Sequence, residues 1–184
     1  MMFAALAASA SNQRRVAPVT FAVETASPGQ QSLIQVVSFV DRALIERLRK
    51  HPDDLRTINR RVFEELVAEL FNGFGYEVEL TKRTRDGGKD VIAIRRKEVE
   101  TRFLVECKRP DPGNPVGVST VRELYGVKAD DGASKAILAT TTYLTPDAKL
   151  FIERHRWELE AREYDAIHDW ISTYLGMPLP ISDA

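Results

Sequence analysis

Asp86-Gly87-Gly88-Lys89-Asp90-Val91-Ile92-Ala93-Ile94, followed after a charged turn by Arg102-Phe103-Leu104-Val105-Glu106-Cys107-Lys108, is the stretch that decides the fold. Two apolar, β-prone runs flank a polar connection, the pattern of a hairpin. Strand side chains alternate faces, so Glu106 and Lys108 point one way while Val105 and Cys107 point the other. Antiparallel pairing sets the start of the first strand beside the end of the second. Asp90 then approaches Glu106 and Lys108, giving two carboxylates and an ammonium on one edge. Oxygen donors of this kind suit Mg²⁺, which takes one or two carboxylates and keeps its remaining positions for waters and phosphates. A cation so held activates water and neutralises charge on a phosphate, and Lys108 acts beside it as a point charge. An exposed salt bridge on a hairpin is the competing reading, since such pairs are common and weak. Charges ending an apolar strand, and the Gly87-Gly88 pair that lets backbone approach a ligand, argue for the site.

Working outward, Asn59 is placed to cap a helix running to about Asn72. Phe63, Leu66, Val67, Leu70 and Phe71 form its apolar stripe. At about 100° per residue Glu64 falls at the edge of that stripe and Glu65 on the opposite face. Gly73 and Gly75 end the helix, and Tyr76 to Thr81 alternates as a first strand. Beyond the hairpin, Pro110 to Pro115 reads as a rigid loop beside the site and Val118 to about Ala129 as a helix. Lys135 to Thr141 reads as a buried strand, and Thr145-Pro146 as a helix cap with proline at N1. Strand–helix–strand order implies parallel neighbours. Thr140, Thr141 and Thr142 then fall at a strand's carboxyl end, where open α/β sheets place ligands, although β-propensity explains them equally well. Leu159 to Arg162 reads as a weak strand. Asp165 is expected to cap a last helix to about Leu175, and Trp157 and Trp170 are expected to be packing residues rather than stacking platforms.

These blocks, in order, resemble the PD-(D/E)XK nuclease superfamily. Phe63 to Leu70, Gly75-Tyr76-Glu77-Val78, Asp86 to Asp90, Glu106-Cys107-Lys108 and Val116-Gly117-Val118-Ser119 resemble more closely its Mrr-like (type IV) restriction endonuclease domain, over about residues 58–171. The resemblance implies an α/β fold with a central mixed β-sheet flanked by helices. It implies a Mg²⁺-dependent DNA endonuclease, with Mn²⁺ able to substitute, directed at foreign or modified DNA. Asp90 and Glu106 would hold the metal, Lys108 would position or polarise water, and Glu64 takes the family's helix-glutamate place. Many Mrr-like domains carry glutamine where Glu106 stands; here the acid matches the wider superfamily. Lys82, Arg83, Arg85, Lys89 and Arg109 are candidate contacts to double-stranded DNA, methylated or not, with solvated loop charge as the alternative.

The 184 residues divide into an irregular arm (1–30), a helix and linker (31–57), the nuclease domain (58–175) and a tail (176–184). Within 31–50, Leu33, Val36, Val37, Val40, Leu44, Ile45 and Leu48 share one helical face, which would pack on the domain or form a dimer seam. A composition of 43% hydrophobic and 29% charged residues is that of a globular protein, and the net charge of −1 does not announce a nucleic-acid binder. Its distribution does more: residues 81–109 hold ten Lys/Arg against five Asp/Glu, whereas 143–184 hold four against eight. Positive charge therefore gathers at the proposed site. The one cysteine, Cys107, excludes an internal disulfide and reads as a buried thiol. The histidines show no metal-ligand spacing, and no apolar run is long enough to span a bilayer, so no membrane association and a cytoplasmic location are expected. Cutting both strands is easiest with two sites about a two-fold axis, which motivates a homodimer. Two rival readings remain at this point: a non-catalytic DNA-binding module, and an interaction domain assembling through 31–50.

Overall fold

The computed structural model describes residues 39–81 and 88–177. Its centre is one sheet in the spatial order β1 (Glu77–Leu80), β2 (Val91–Arg96), β3 (Glu100–Lys108), β4 (Lys135–Thr140), β5 (Leu159–Arg162). The first three strands pair antiparallel and the last three parallel, so the sheet is mixed, as expected. The helices are α1 (Arg42–Lys50), α2 (Arg60–Gly73), α3 (Val118–Asp131), α4 (Pro146–Arg154) and α5 (Tyr164–Gly176). α3 and α4 are the crossovers that parallel pairing requires, one between β3 and β4 and one between β4 and β5.

Alternation along the strands builds two cores. Val91, Ala93, Val105, Cys107, Ile137 and Ala139 pack with Phe63, Leu66 and Leu70 of α2 and with Ile167 and Ile171 of α5. Ile92, Leu104, Ala136 and Leu138 pack with Val121 and Leu124 of α3 and Ala148 of α4. Both faces of the sheet are therefore covered, which is why β4 reads as a continuous apolar run. Glu106 and Lys108 share the face of Leu104, and Asp90 that of Ile92. Their strands end where neither core continues.

The helix expected over 31–50 begins, among the described residues, only at Arg42. Asp41 is extended and its side chain accepts the Ala43 N–H at 2.9 Å, so the chain turns there instead of continuing a helix through Val40. Ile45 and Leu48 are fully buried in the core shared with α2 and α5. Burial of two such side chains stabilises by about 1.5–3 kcal/mol each, well above an exposed pair such as Arg47–Asp54. The stripe of α1 thus faces the domain's own core. Residues 31–38, the arm 1–30, and Pro178 onward in the tail lie outside the described residues.

Two smaller expectations are corrected. Asp165 sits inside the first turn of α5, and the cap is Glu163, whose carboxylate also accepts the Leu144 N–H at 2.9 Å and pairs with Lys149 at 2.9 Å. Trp157 is 81% exposed, whereas Trp170 packs edge-on against Phe71 and Phe74 as expected. Trp157 follows α4 in the turn before β5, beyond either core.

Glu69, a buried acid on α2, was not singled out by its spacing. Its carboxylate accepts the Phe39 N–H at 2.7 Å and the Tyr174 O–H at 2.7 Å, tying the start of α1 and the end of α5 to α2. Gly73 serves the same junction: a Cβ there would lie 2.3 Å from the Tyr174 ring. Burial, then the Glu69 carboxylate, pushes the Tyr174 hydroxyl up to about 12. The folded state keeps that proton after the unfolded chain has lost it at about 10. Stability is therefore expected to fall as pH rises from about 10 through 12. Tyr174→Phe should remove this part of the slope in urea unfolding series, and an unchanged slope would show that Tyr174 is not its source.

Candidate active site

The hairpin forms in the expected register. Val91 lies opposite Val105, and the Asp90 N–H donates to the Val105 carbonyl at 2.9 Å, extending the ladder by one residue. Asp90 Oδ2 then accepts the Cys107 N–H at 2.7 Å. The short segment carrying Asp90 is held from three sides. Thr81 donates its N–H to the Asp90 carbonyl at 2.9 Å, and its hydroxyl donates to the Lys89 and Asp90 carbonyls at 2.9 and 3.1 Å. Lys89 Nζ pairs with Asp131 at 2.7 Å at the end of α3, and Asp131 also pairs with Arg102 of β3 at 2.9 Å.

Glu106 is 3% exposed. Its Oε1 lies 2.5 Å from Lys108 Nζ, and its Oε2 is buried with no hydrogen-bond partner among the described residues. Burial raises the Glu106 carboxyl above the usual range, and the Lys108 ammonium opposes that shift. Lys108 keeps 43% of its side chain exposed and so connects the buried acid to solvent. Gly88, with φ +78°, occupies the left-handed region, and a side chain there would lie 3.8 Å from Glu106 Oε1.

Glu64 enters from α2, in the other helical layer, and lines the same cleft as Asp90, Glu106 and Lys108. Its Oε2 accepts from Arg61 Nη1 at 3.0 Å. The same Nη1 reaches the Thr81 carbonyl at 3.1 Å, and Arg61 Nε reaches Glu65 at 3.3 Å. Arg61 thereby joins Glu64 to the residue that holds Asp90. Cys107 reports the convergence: burial, then the Asp90, Glu64 and Glu106 carboxylates, push its thiol well above the usual range. It is a core residue, not a nucleophile. The cleft walls are residues 57–61, ending in α2, and 115–117 with Thr120 of α3.

Of the cations expected to meet DNA, Lys89 lines the cleft but is paired with Asp131. Arg109 also lines it, and donates to the Arg56 carbonyl at 3.2 Å. Lys82, Arg83 and Arg85, with Asp86 and Gly87, lie outside the described residues. Thr140, Thr141 and Thr142 are buried, and the Thr141 N–H donates to the Lys108 carbonyl at 3.2 Å, so they support the strand end from behind. Arg60, Arg61, Thr81 and Asp131 were not anticipated. Helical spacing carried a signal for the first two, which precede Glu64 by four and three residues; the other two depend on tertiary contacts.

Among the described residues no group of three or more His, Cys, Asp or Glu gathers as a ready metal set. The candidate donors are Asp90 and Glu106, a two-carboxylate set that leaves positions for water and phosphate. The buried, unpartnered Glu106 Oε2 fits such a cation, because a buried acceptor otherwise lacks compensation.

A family model described as Mrr_cat, restriction endonuclease, matches residues 55–171. The uncharacterized protein y4cE of Sinorhizobium fredii (strain NBRC 101917 / NGR234) is 33% identical over 108 residues, covering 57% of this chain and 27% of that protein. The chain thus spans about a quarter of the length of the curated relative it matches. Among solved structures, the DNA modification-dependent restriction endonuclease AspBHI superposes with a TM-score of 0.53 at 24% identity, covering 72% of this chain and 35% of that one. The MspJI restriction endonuclease, solved with a 27-mer oligonucleotide, gives 0.48 at 17% identity, covering 79% and 34%. The AspBHI likeness bears on the fold alone, the mixed five-stranded sheet with helices on both faces.

The raised Glu106 carboxyl has a consequence for stability without metal. The folded state holds that proton to a higher pH than the unfolded chain, whose glutamates titrate at about 4.3. Its contribution to stability therefore falls as pH rises through that window. Glu106→Gln, compared with wild type by urea unfolding in EDTA from about pH 4 to 7, should gain relative stability as pH rises. A difference that stays flat would show that burial does not penalise the charge.

Proposed function

Since the chain belongs to the Mrr-type restriction endonuclease family, through the match over residues 55–171, we propose that it hydrolyses DNA phosphodiester bonds at the cleft floored by Asp90, Glu106 and Lys108. The observation that carries the reading is the meeting of two strand ends: Asp90 Oδ2 on the Cys107 N–H at 2.7 Å, and Glu106 Oε1 on Lys108 Nζ at 2.5 Å. Residues 58–175 form the catalytic unit of this proposal, and its substrate is duplex DNA that is foreign or carries modified bases.

Asp90 and Glu106 would hold Mg²⁺, or Mn²⁺ in its place, which when bound supplies a more acidic water and neutralises charge on the phosphate. The other roles belong to the protein. Lys108, half out of the protein, orients the attacking water and offsets charge developing on the phosphate oxygens. The Cys107 N–H fixes the Asp90 carboxylate, so its second oxygen is presented without rotamer search. Glu64 assists from α2, its carboxylate oriented by Arg61. Assembly through residues 31–50 is less well supported, because Ile45 and Leu48 already lie in the domain core.

The test uses supercoiled plasmid, methylated and unmethylated, in Mg²⁺ and in EDTA. Asp90→Asn keeps an acceptor for the Cys107 N–H while removing the charge. Nicked or linear product is expected from wild type with Mg²⁺ only, with a loss of about 10²-fold or more for Asp90→Asn and for Lys108→Ala. Cleavage that persists in either variant would overturn the site, and faster cleavage of one methylation state would define the substrate.

A further inference from the structure

Five described cations line the cleft: Arg60, Arg61, Lys89, Lys108 and Arg109. Four have partners within the protein. Arg61 holds Glu64, Glu65 and the Thr81 carbonyl; Lys89 holds Asp131; Lys108 holds Glu106; Arg109 holds the Arg56 carbonyl. Arg60 is exposed, and its side chain makes no hydrogen bond or ion pair with any described residue.

Arg60 also does nothing for its own helix. It is the first residue of α2, where the positive end of the helix dipole disfavours a cation, and the first turn carries no acid to offset it. Glu64, four residues on, would be its helical neighbour, but Glu64 Oε2 accepts from Arg61. Arg60 therefore lines the cleft one helical turn from Glu64, and its charge adds to the positive end of the dipole. A cation with no partner among the described residues, in a position unfavourable to the helix, and lining a cleft floored by carboxylates is suited to an external anion that reaches past those acids.

We propose that Arg60 grips a phosphate of the bound DNA strand adjacent to the one that is cut. Its planar fork gives paired, charge-assisted hydrogen bonds to the phosphate oxygens, fixing the register of the strand over the floor. Arg60 is a binding and positioning residue and does not touch the reacting atoms. This inference rests on the endonuclease reading, and its test separates the two.

Binding of a labelled DNA duplex to the full chain is followed by fluorescence anisotropy in EDTA, across a NaCl series, so that no cleavage intervenes. Each phosphate neutralised contributes about −0.9 to the slope of log K against log salt. Arg60→Gln should reduce the magnitude of the slope by about one such contact and weaken low-salt binding severalfold. Arg60→Lys should restore the slope, because charge sets it, and Arg49→Gln, an exposed arginine on α1, should match wild type. In Mg²⁺ Arg60→Gln should raise KM and leave kcat near wild type. Wild type that binds duplex while Arg60→Gln keeps its slope overturns the Arg60 assignment and leaves the endonuclease reading standing. A fall in kcat at unchanged KM overturns it too, by moving Arg60 to the reacting atoms. Wild type that binds no duplex at low salt overturns the endonuclease reading and Arg60 with it.

Discussion

The 2.7 Å hydrogen bond from the Cys107 N–H to Asp90 Oδ2 is the constraint on which the arrangement of the cleft depends. It couples the first side chain before β2 to the backbone at the end of β3, so the register of one hairpin fixes the separation of the two carboxylates. A slip of one residue would turn Glu106 and Lys108 into the α2 core and bring Cys107 to the cleft side of the sheet. Such a slip would also bury two charges among Phe63, Leu66 and Ile137, away from the cleft that now receives them. Core packing and site geometry therefore select the same register.

Glu106 shows the conflict between fold and chemistry. Nearly all of β3 from Leu104 to Cys107 is buried, and an apolar residue at 106 would suit the face it shares with Leu104. The acid is held there by Lys108, which is itself half in solvent, and one carboxylate oxygen has no partner among the described residues. Buried polar groups are normally satisfied, so an exception at a cleft indicates a ligand position more than an error of packing. Gly88 agrees with this: its left-handed backbone lets the turn pass over the acid with no side chain between them.

Much of the fold was legible because local patterns agreed with tertiary demands. The hairpin, the α2 stripe with its Asn59 cap, the two parallel crossovers and the Thr145-Pro146 helix start follow from alternation, helical period and capping chemistry. The start of α1 was not legible, because Val40 continues the apolar stripe while Asp41, one residue later, caps the helix start with its own side chain. Asp165 misled for a related reason: an acid in a first turn favours the helix dipole as well as an acid at the cap would, and sequence cannot separate the two positions. Trp157 gave no sign of its exposure, since hydrophobicity alone does not say which side of a strand's approach it will take.

At the cleft, sequence pointed to residues that the fold brings together and concealed what holds them. Asp90, Glu106 and Lys108 were readable from strand parity, and Glu64 from helix angle. The supports were not, because each joins distant elements: Asp131 of α3 with Lys89, Thr81 with Lys89 and Asp90, Arg61 of α2 with Thr81. These contacts form one chain from Glu64 through Arg61 and Thr81 to Asp90, crossing from a helix in one layer to the strand ends of the sheet. The helix acid and the strand acid are thus positioned by shared hydrogen bonds rather than independently. Arg61 is occupied by this task, which leaves Arg60, its neighbour in sequence, as the guanidinium of α2 that is open to an incoming phosphate.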